Sequence, residues 1–346
     1  DITYNATSNH VSYAWNSAFA DYFAGTTSYN ATAYTVEQFA ALTDDSDDLK
    51  NLLAGLPKYI ADKNIAVAKT ATVDEGGTAT FANLAMGEYF IRPSSTTSVY
   101  QLMLQKIEPT VDVNNGKYVI DDVEFTAKKA EVSIAKTADK TSVTKGEKVA
   151  YTVAVDIPTY SAEATDKTIY VSDLLPDGLT IDTDSINVKI GGTAVDSTAY
   201  NLDTNATSAY TFKLSVSTQQ YTDSWTNEGG KQLVITYTAT LNDDATTEVN
   251  VKETNTATFD YSFYPYVENS HKQKTDMVDV TTFAIKIDKF AFNGINTGDK
   301  TNKLSGAKFD LYRTATTEET NAGRTITIPH TNIQGIKLES DLVTDN

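Results

Sequence analysis

The sequence predicts a mainly β protein made of tandem β-sandwich domains, with a few helices confined to its N-terminal region. Three observations carry that prediction. Apolar residues recur at strand period in Val149, Tyr151, Val153 and Val155, in Tyr210, Phe212, Leu214 and Val216, and in Leu233, Ile235, Tyr237, Ala239 and Leu241. Turn residues such as Gly191-Gly192 and Asn242-Asp-Asp244 separate the short runs, as two packed antiparallel sheets require. No crossover helix lies between them, which argues against a parallel α/β sheet.

The region up to about Lys129 has a different texture. Trp15, Phe19, Tyr22 and Phe23 fall on one helical face, and Leu49, Leu52, Leu53, Leu56 and Ile60 on another, with Pro57 as a kink or an end. Thr43-Asp-Asp-Ser-Asp-Asp48 precedes the second helix. It lacks the glycine and the distal glutamate of a calcium loop, so it reads as an N-cap with acidic first-turn residues. Thr78 to Ile91 reads as two strands around a turn, and Lys117 to Lys129 as the last strand of the region.

Composition excludes several functions. The 346 residues suffice for two or three domains, each with its own core. There is no cysteine, hence no disulfide, thiol catalysis or cysteine–metal site. The 46 acidic and 28 basic residues give a net charge of −18, which opposes nucleic acid or an anionic membrane as partner. No apolar run approaches the roughly 20 residues of a membrane span. His10, His271 and His330 are scattered without metal spacing, and no nucleophile elbow, phosphate-binding loop or zinc-protease helix is present. We therefore expect no turnover enzyme, no metal and no cofactor.

The chemistry sits instead on inward-facing polar residues. In Glu131-Val-Ser-Ile-Ala-Lys136, strand alternation puts Val132, Ile134 and Lys136 on one face. A lysine in an apolar core loses charge or takes a partner; otherwise its ammonium snorkels out at the strand end. The same parity places Asp173 with Ile169 and Val171, and Asn255 with Val249, Val251, Glu253, Ala257 and Phe259. A neutral Lys136 amine can attack the Asn255 side-chain amide and expel ammonia, provided that a protonated Asp173 polarises the carbonyl. The product is an intramolecular isopeptide bond, made once. Lys140 shares the parity of Lys136 but lies nearer the turn at Ser142 to Gly146, so Lys136 is preferred on burial. A cross-link closing a loop of roughly a hundred residues stabilises by on the order of 4–5 kcal/mol.

Three ordered blocks carry a resemblance: Ala135-Lys-Thr-Ala-Asp-Lys-Thr-Ser-Val-Thr-Lys-Gly-Glu-Lys-Val-Ala-Tyr-Thr-Val153, Val171-Ser-Asp-Leu-Leu-Pro-Asp-Gly-Leu179 and Asn255-Thr-Ala-Thr-Phe-Asp-Tyr261. The chain resembles the major backbone (shaft) pilins of sortase-assembled pili on Gram-positive bacteria. The resemblance implies immunoglobulin-like sandwiches of the collagen-adhesin type. It divides the chain into an N-terminal pilin domain at 1–129, a middle isopeptide-forming domain at 130–281 and the start of a C-terminal B-type domain at 282–346. In that last part Thr282-Phe-Ala-Ile-Lys-Ile-Asp-Lys289, with Leu304-Ser-Gly-Ala-Lys-Phe-Asp-Leu-Tyr312, aligns the family's bond-forming lysine with Lys289. No glutamate box of the family follows Tyr312, so the partners of Lys289 are not assignable and that domain is expected to be truncated. In the first domain, Arg92 stands where isopeptide-forming relatives carry a glutamate, so no bond is expected there. Its opening strand, a signal peptide and the sorting motif are expected outside this sequence.

Relatives end their first domain on Val-x-Val-Tyr-Pro-Lys. Here Val123-Glu-Phe-Thr-Ala-Lys128 occupies that place, which makes Lys128, with Lys129 as the alternative, the expected nucleophile for polymerisation. By this resemblance a class C sortase cleaves the sorting motif of one subunit, holds it as a thioester and passes it to Lys128 of another. The implied partners are the sortase, further copies of the pilin, tip and basal pilins, and host surface or matrix ligands. The implied location is the cell surface, in a pilus anchored to the cell wall. A non-polymerising adhesin, or a tip or basal pilin built of the same modules, is the alternative; it would keep Lys136, Asp173 and Asn255 and have no use for Lys128.

Overall fold

The computed structural model describes residues 1–43, 46–93, 98–246, 252–283, 306 and 308–343. The chain divides into two compact units, Asp1–Thr282 and Phe283–Asn346. The first is mainly β and has two apolar cores.

Aromatic residues and leucines of short helices build the smaller core. A hairpin of β1 (Ile2–Asn5) and β2 (His10–Tyr13) opens the chain, followed by α1 (Ala20–Phe23), α2 (Val36–Ala40), α3 (Asp47–Ala54) and α4 (Leu56–Asp62). The helical face around Trp15 is shorter than its pattern suggests, because only Ala20–Phe23 is helical; Trp15 still stacks on Phe23 at 4.1 Å between centroids. Ser46 caps α3 by accepting from the Leu49 N–H, with Asp47 and Asp48 in the first turn. The leucine face breaks at Gly55, and Pro57 lies in the first turn of α4. A Cβ at Gly55 would lie 2.2 Å from the Tyr29 carbonyl oxygen, so that crossing requires glycine. Tyr22, Phe23, Phe39, Leu49, Leu52, Leu53, Leu56 and Tyr59 are buried together.

Strands close this region: β3 (Gly87–Ile91), β4 (Val99–Tyr100), β5 (Met103–Ile107), β6 (Thr110–Val111), β7 (Tyr118–Val119) and β8 (Lys129–Ala130). Two expectations fail here. The stretch Thr78–Met86 forms no strand, so only the second half of the anticipated pair exists, as β3 paired with β5. Nor is Lys117–Lys129 one strand: residues 120–128 lie outside any ladder, and Val123 and Phe125 are exposed. Alternation there signals extended backbone, but pairing also needs a free neighbouring edge.

The larger core is a sandwich of two five-stranded antiparallel sheets. Its strands are β9 (Ile134–Ala138), β10 (Lys148–Asp156), β11 (Ile169–Leu174), β12 (Leu179–Ile190), β13 (Thr193–Ala194), β14 (Asn201–Asp203), β15 (Phe212–Val216), β16 (Gln232–Leu241), β17 (Glu253–Ser262) and β18 (His271–Val280). One sheet has the order β13-β12-β16-β10-β9, the other β14-β15-β11-β17-β18. The alternating residues read from sequence in β10, β15 and β16 point inward, with Tyr151 opposite Tyr237. Gly191 and Gly192, both at positive φ, turn β12 into β13. Between β15 and β16 lies a helical connection that the sequence pattern does not announce, α5 (Thr218–Gln220) running into a π-turn at Tyr221–Trp225; there Trp225 is fully buried and donates to the Ala199 carbonyl at 2.9 Å.

The edges β9 and β18 close one side of the sandwich. Asp276 accepts from the Lys136 backbone N–H at 2.7 Å, and Lys274 donates to the Val132 carbonyl. At the start of β18, the His271 ring meets Asp260 Oδ1 at 2.5 Å through Nδ1 and Asp166 Oδ2 at 3.2 Å through Nε2.

In the second unit, β19 (Lys308–Thr314), α6 (Thr317–Asn321), β20 (Ile326–Thr327) and β21 (Gln334–Val343) include a three-stranded sheet ordered β19-β21-β20.

Candidate functional site

Strand parity delivers three polar side chains to the space between the sheets. Lys136 comes from β9 in one sheet, Asp173 and Asn255 from the neighbouring strands β11 and β17 in the other. The Lys136 and Asp173 side chains have no solvent exposure, and Asn255 is fully buried. Lys136 Nζ contacts Asp173 Oδ2 and donates to the Tyr237 hydroxyl at 2.9 Å; Asn255 Nδ2 donates to that same hydroxyl at 2.8 Å. Amine and amide therefore meet at one oxygen.

Aromatic rings wall the site. Lys136 Nζ lies 5.3 Å from the Tyr151 ring centroid and 5.2 Å from that of Tyr237. Tyr151 and Tyr237 stack at 5.3 Å, and Phe212 meets Tyr237 edge-on at 5.2 Å. Such surroundings disfavour charge on both partners. Burial pulls the Lys136 amine below its ordinary pKa and pushes the Asp173 carboxyl above its own, although each would raise the other's charged fraction if ionised. Both shifts favour a neutral amine beside a protonated acid.

The unpaired atoms fit that state. Asp173 Oδ1, Asn255 Oδ1 and the Tyr151 hydroxyl are buried without a hydrogen-bond partner among the described residues. A carboxylate and a carbonyl both accept only; a proton on Asp173 supplies the donor that an amide oxygen needs. A free amine, an amide and an acid able to polarise its carbonyl are the reactants for amide exchange.

The other predicted residues lie elsewhere. Lys140 is at the surface, paired with Glu147 at 2.6 Å. Lys128 is exposed just before β8, and its amine has no partner among the described residues, whereas Lys129 pairs with Glu131 at 2.5 Å. Lys289 lies outside the described residues. The alternation of β10 and β16 placed Tyr151 and Tyr237 in the core without marking them as site residues; two tyrosines at inward positions of neighbouring strands were the available signal, since a buried hydroxyl needs a partner. Among the described residues there is no cluster of metal-ligating side chains, and no helix is long and apolar enough to cross a membrane.

No family model and no curated protein matches the chain. Among solved structures it is similar to the T6 backbone pilin of serotype M6 Streptococcus pyogenes, a modular three-domain protein, with a TM-score of 0.57 at 20% identity over 80% of this chain and 61% of that one. It is similar also to the full-length major pilin SpaD of Corynebacterium diphtheriae, with a TM-score of 0.51 at 19% identity over 82% and 68%. The chain has the fold of Gram-positive major pilins. It spans about three fifths of the S. pyogenes pilin, and the expected mainly β class holds. Within the pilin fold, the buried lysine, acid and amide tie opposite sheets of one sandwich.

Proposed function

We propose that this chain is a backbone subunit of a covalently polymerised cell-surface pilus, with a 130–281 domain stapled by a self-made Lys136–Asn255 isopeptide bond. The observation that carries the reading is the buried meeting of Lys136, Asp173 and Asn255 between sheets: a solvent-free lysine and acid are costly in an ordinary core and are the reactants here. Lys136 is the nucleophile, Asp173 the acid and Asn255 the acceptor. Each subunit makes its bond once, without turnover.

Polymerisation is assigned to Lys128. Its exposure and unpartnered amine favour it over Lys129, whose hydrogen bond to Glu131 holds the amine protonated, with a raised pKa. A class C sortase would supply the thioester, and other copies of the chain the neighbouring subunits; the surface location and the division at 129/130 belong to the same proposal.

Two experiments test it. The intact mass should fall one ammonia short of the sequence mass, and digestion should yield a Lys136–Asn255 branched peptide that is absent from Asn255→Ala. An unmodified mass overturns the staple. With sortase and a full-length subunit, Lys128→Ala should abolish the polymer ladder while leaving the staple intact; a ladder that persists removes Lys128 from the assignment.

A further inference from the structure

Exchanging one amide nitrogen for another requires a proton to pass from the attacking nitrogen to the departing one. The Tyr237 hydroxyl bonds to both, at 2.9 Å from Lys136 Nζ and 2.8 Å from Asn255 Nδ2. Asp173 reaches the amine but makes no hydrogen bond to Asn255 Nδ2 among the described residues. The tyrosine ring is fixed between Tyr151 and Phe212, which holds the hydroxyl at this junction.

We propose that Tyr237 is a catalytic residue of the Lys136–Asn255 reaction, relaying the proton from the lysine nitrogen to the nitrogen that leaves. The proposal rests on the self-linking reading above. The Lys136 lone pair adds to Asn255 Cγ, forming the new C–N bond and moving the carbonyl π electrons onto oxygen, where the Asp173 acid hydrogen-bonds. The lysine nitrogen, now cationic, gives one proton to the Tyr237 oxygen. Tyr237 passes its own phenolic proton to the asparagine nitrogen. That nitrogen was a donor while its lone pair was delocalised into the carbonyl, and becomes an acceptor once the carbon is tetrahedral. The old C–N bond breaks, ammonia departs and the carbonyl re-forms; Tyr237 ends as the neutral phenol it began as. Burial pushes that phenol far above its ordinary pKa, so it gives one proton only as it takes another.

Tyr264 provides the control, because its buried hydroxyl has no partner among the described residues and its ring packs on Tyr266, apart from Lys136 and Asn255. Full-length wild type, Tyr237→Phe and Tyr264→Phe are made by pulse-labelled cell-free synthesis, and ammonia loss is followed by intact mass, with circular dichroism reporting folding. Wild type and Tyr264→Phe should link alike, while folded Tyr237→Phe should link about 10²–10⁴-fold more slowly, the usual contribution of a positioned proton-transfer group. Linkage of Tyr237→Phe at the wild-type rate overturns the relay. Absence of linkage in wild type overturns the underlying reading instead. Should Tyr237→Phe fail to fold, 3-fluorotyrosine placed at 237 decides: it keeps the hydrogen bonds but is more acidic, so a relay changes rate and pH profile, and unchanged values overturn it.

Discussion

Asp173 illustrates how burial assigns chemistry. The same carboxyl at the surface would be an ordinary anion; between two sheets and without solvent exposure, burial pushes its pKa up and favours the acid form. Asp173→Asn keeps the shape and loses the acid, so the chain should fold and its intact mass should show no ammonia loss. His271 shows the opposite shift. Its contacts with Asp166 and Asp260 raise the imidazole from 6.5 to about 9 in the folded protein. Because the folded value exceeds the unfolded one, this contribution is complete below about pH 6.5 and disappears as pH rises through about 9. It amounts to up to roughly 3 kcal/mol. Unfolding free energies from denaturant titrations should fall between pH 6 and 10 in wild type, more steeply than in His271→Asn.

Among the elements, α3 depends most visibly on its ends. Its eight residues are too few to hold a helix by propensity, so the Ser46 cap and the buried Leu49, Leu52 and Leu53 hold it. Ser46→Ala should destabilise the N-terminal core by about 1 kcal/mol, seen as faster amide exchange in α3. For β9, position matters more than propensity. As an edge strand against β18 it offers Lys136 to the opposite sheet while its backbone bonds to Asp276.

Across the sandwich, a Lys136–Asn255 bond would join β9 to β17 and close most of the domain into one loop. Relative to unlinked Asp173→Asn, the linked protein should unfold with about 4–5 kcal/mol more free energy in guanidinium. Equal stabilities would mean that the staple acts only against strand separation under load. The net charge of −18 makes copies of the chain repel one another.

Much of this was legible in the sequence because strand parity is a local rule. It put Lys136, Asp173 and Asn255 on inward faces and the alternating residues of β10, β15 and β16 in the core. The same rule misled at residues 120–128, where the pattern suits a strand but the residues join no ladder. It was silent about the π-turn that buries Trp225, whose environment is made by residues distant in sequence. The sequence by itself determined which side chains face inward, since that follows from the two-residue period of each strand. Only the tertiary structure decided which inward residues meet: Tyr237 joins Lys136 to Asn255 because two sheets stack in one register, and no periodicity within a strand encodes that register.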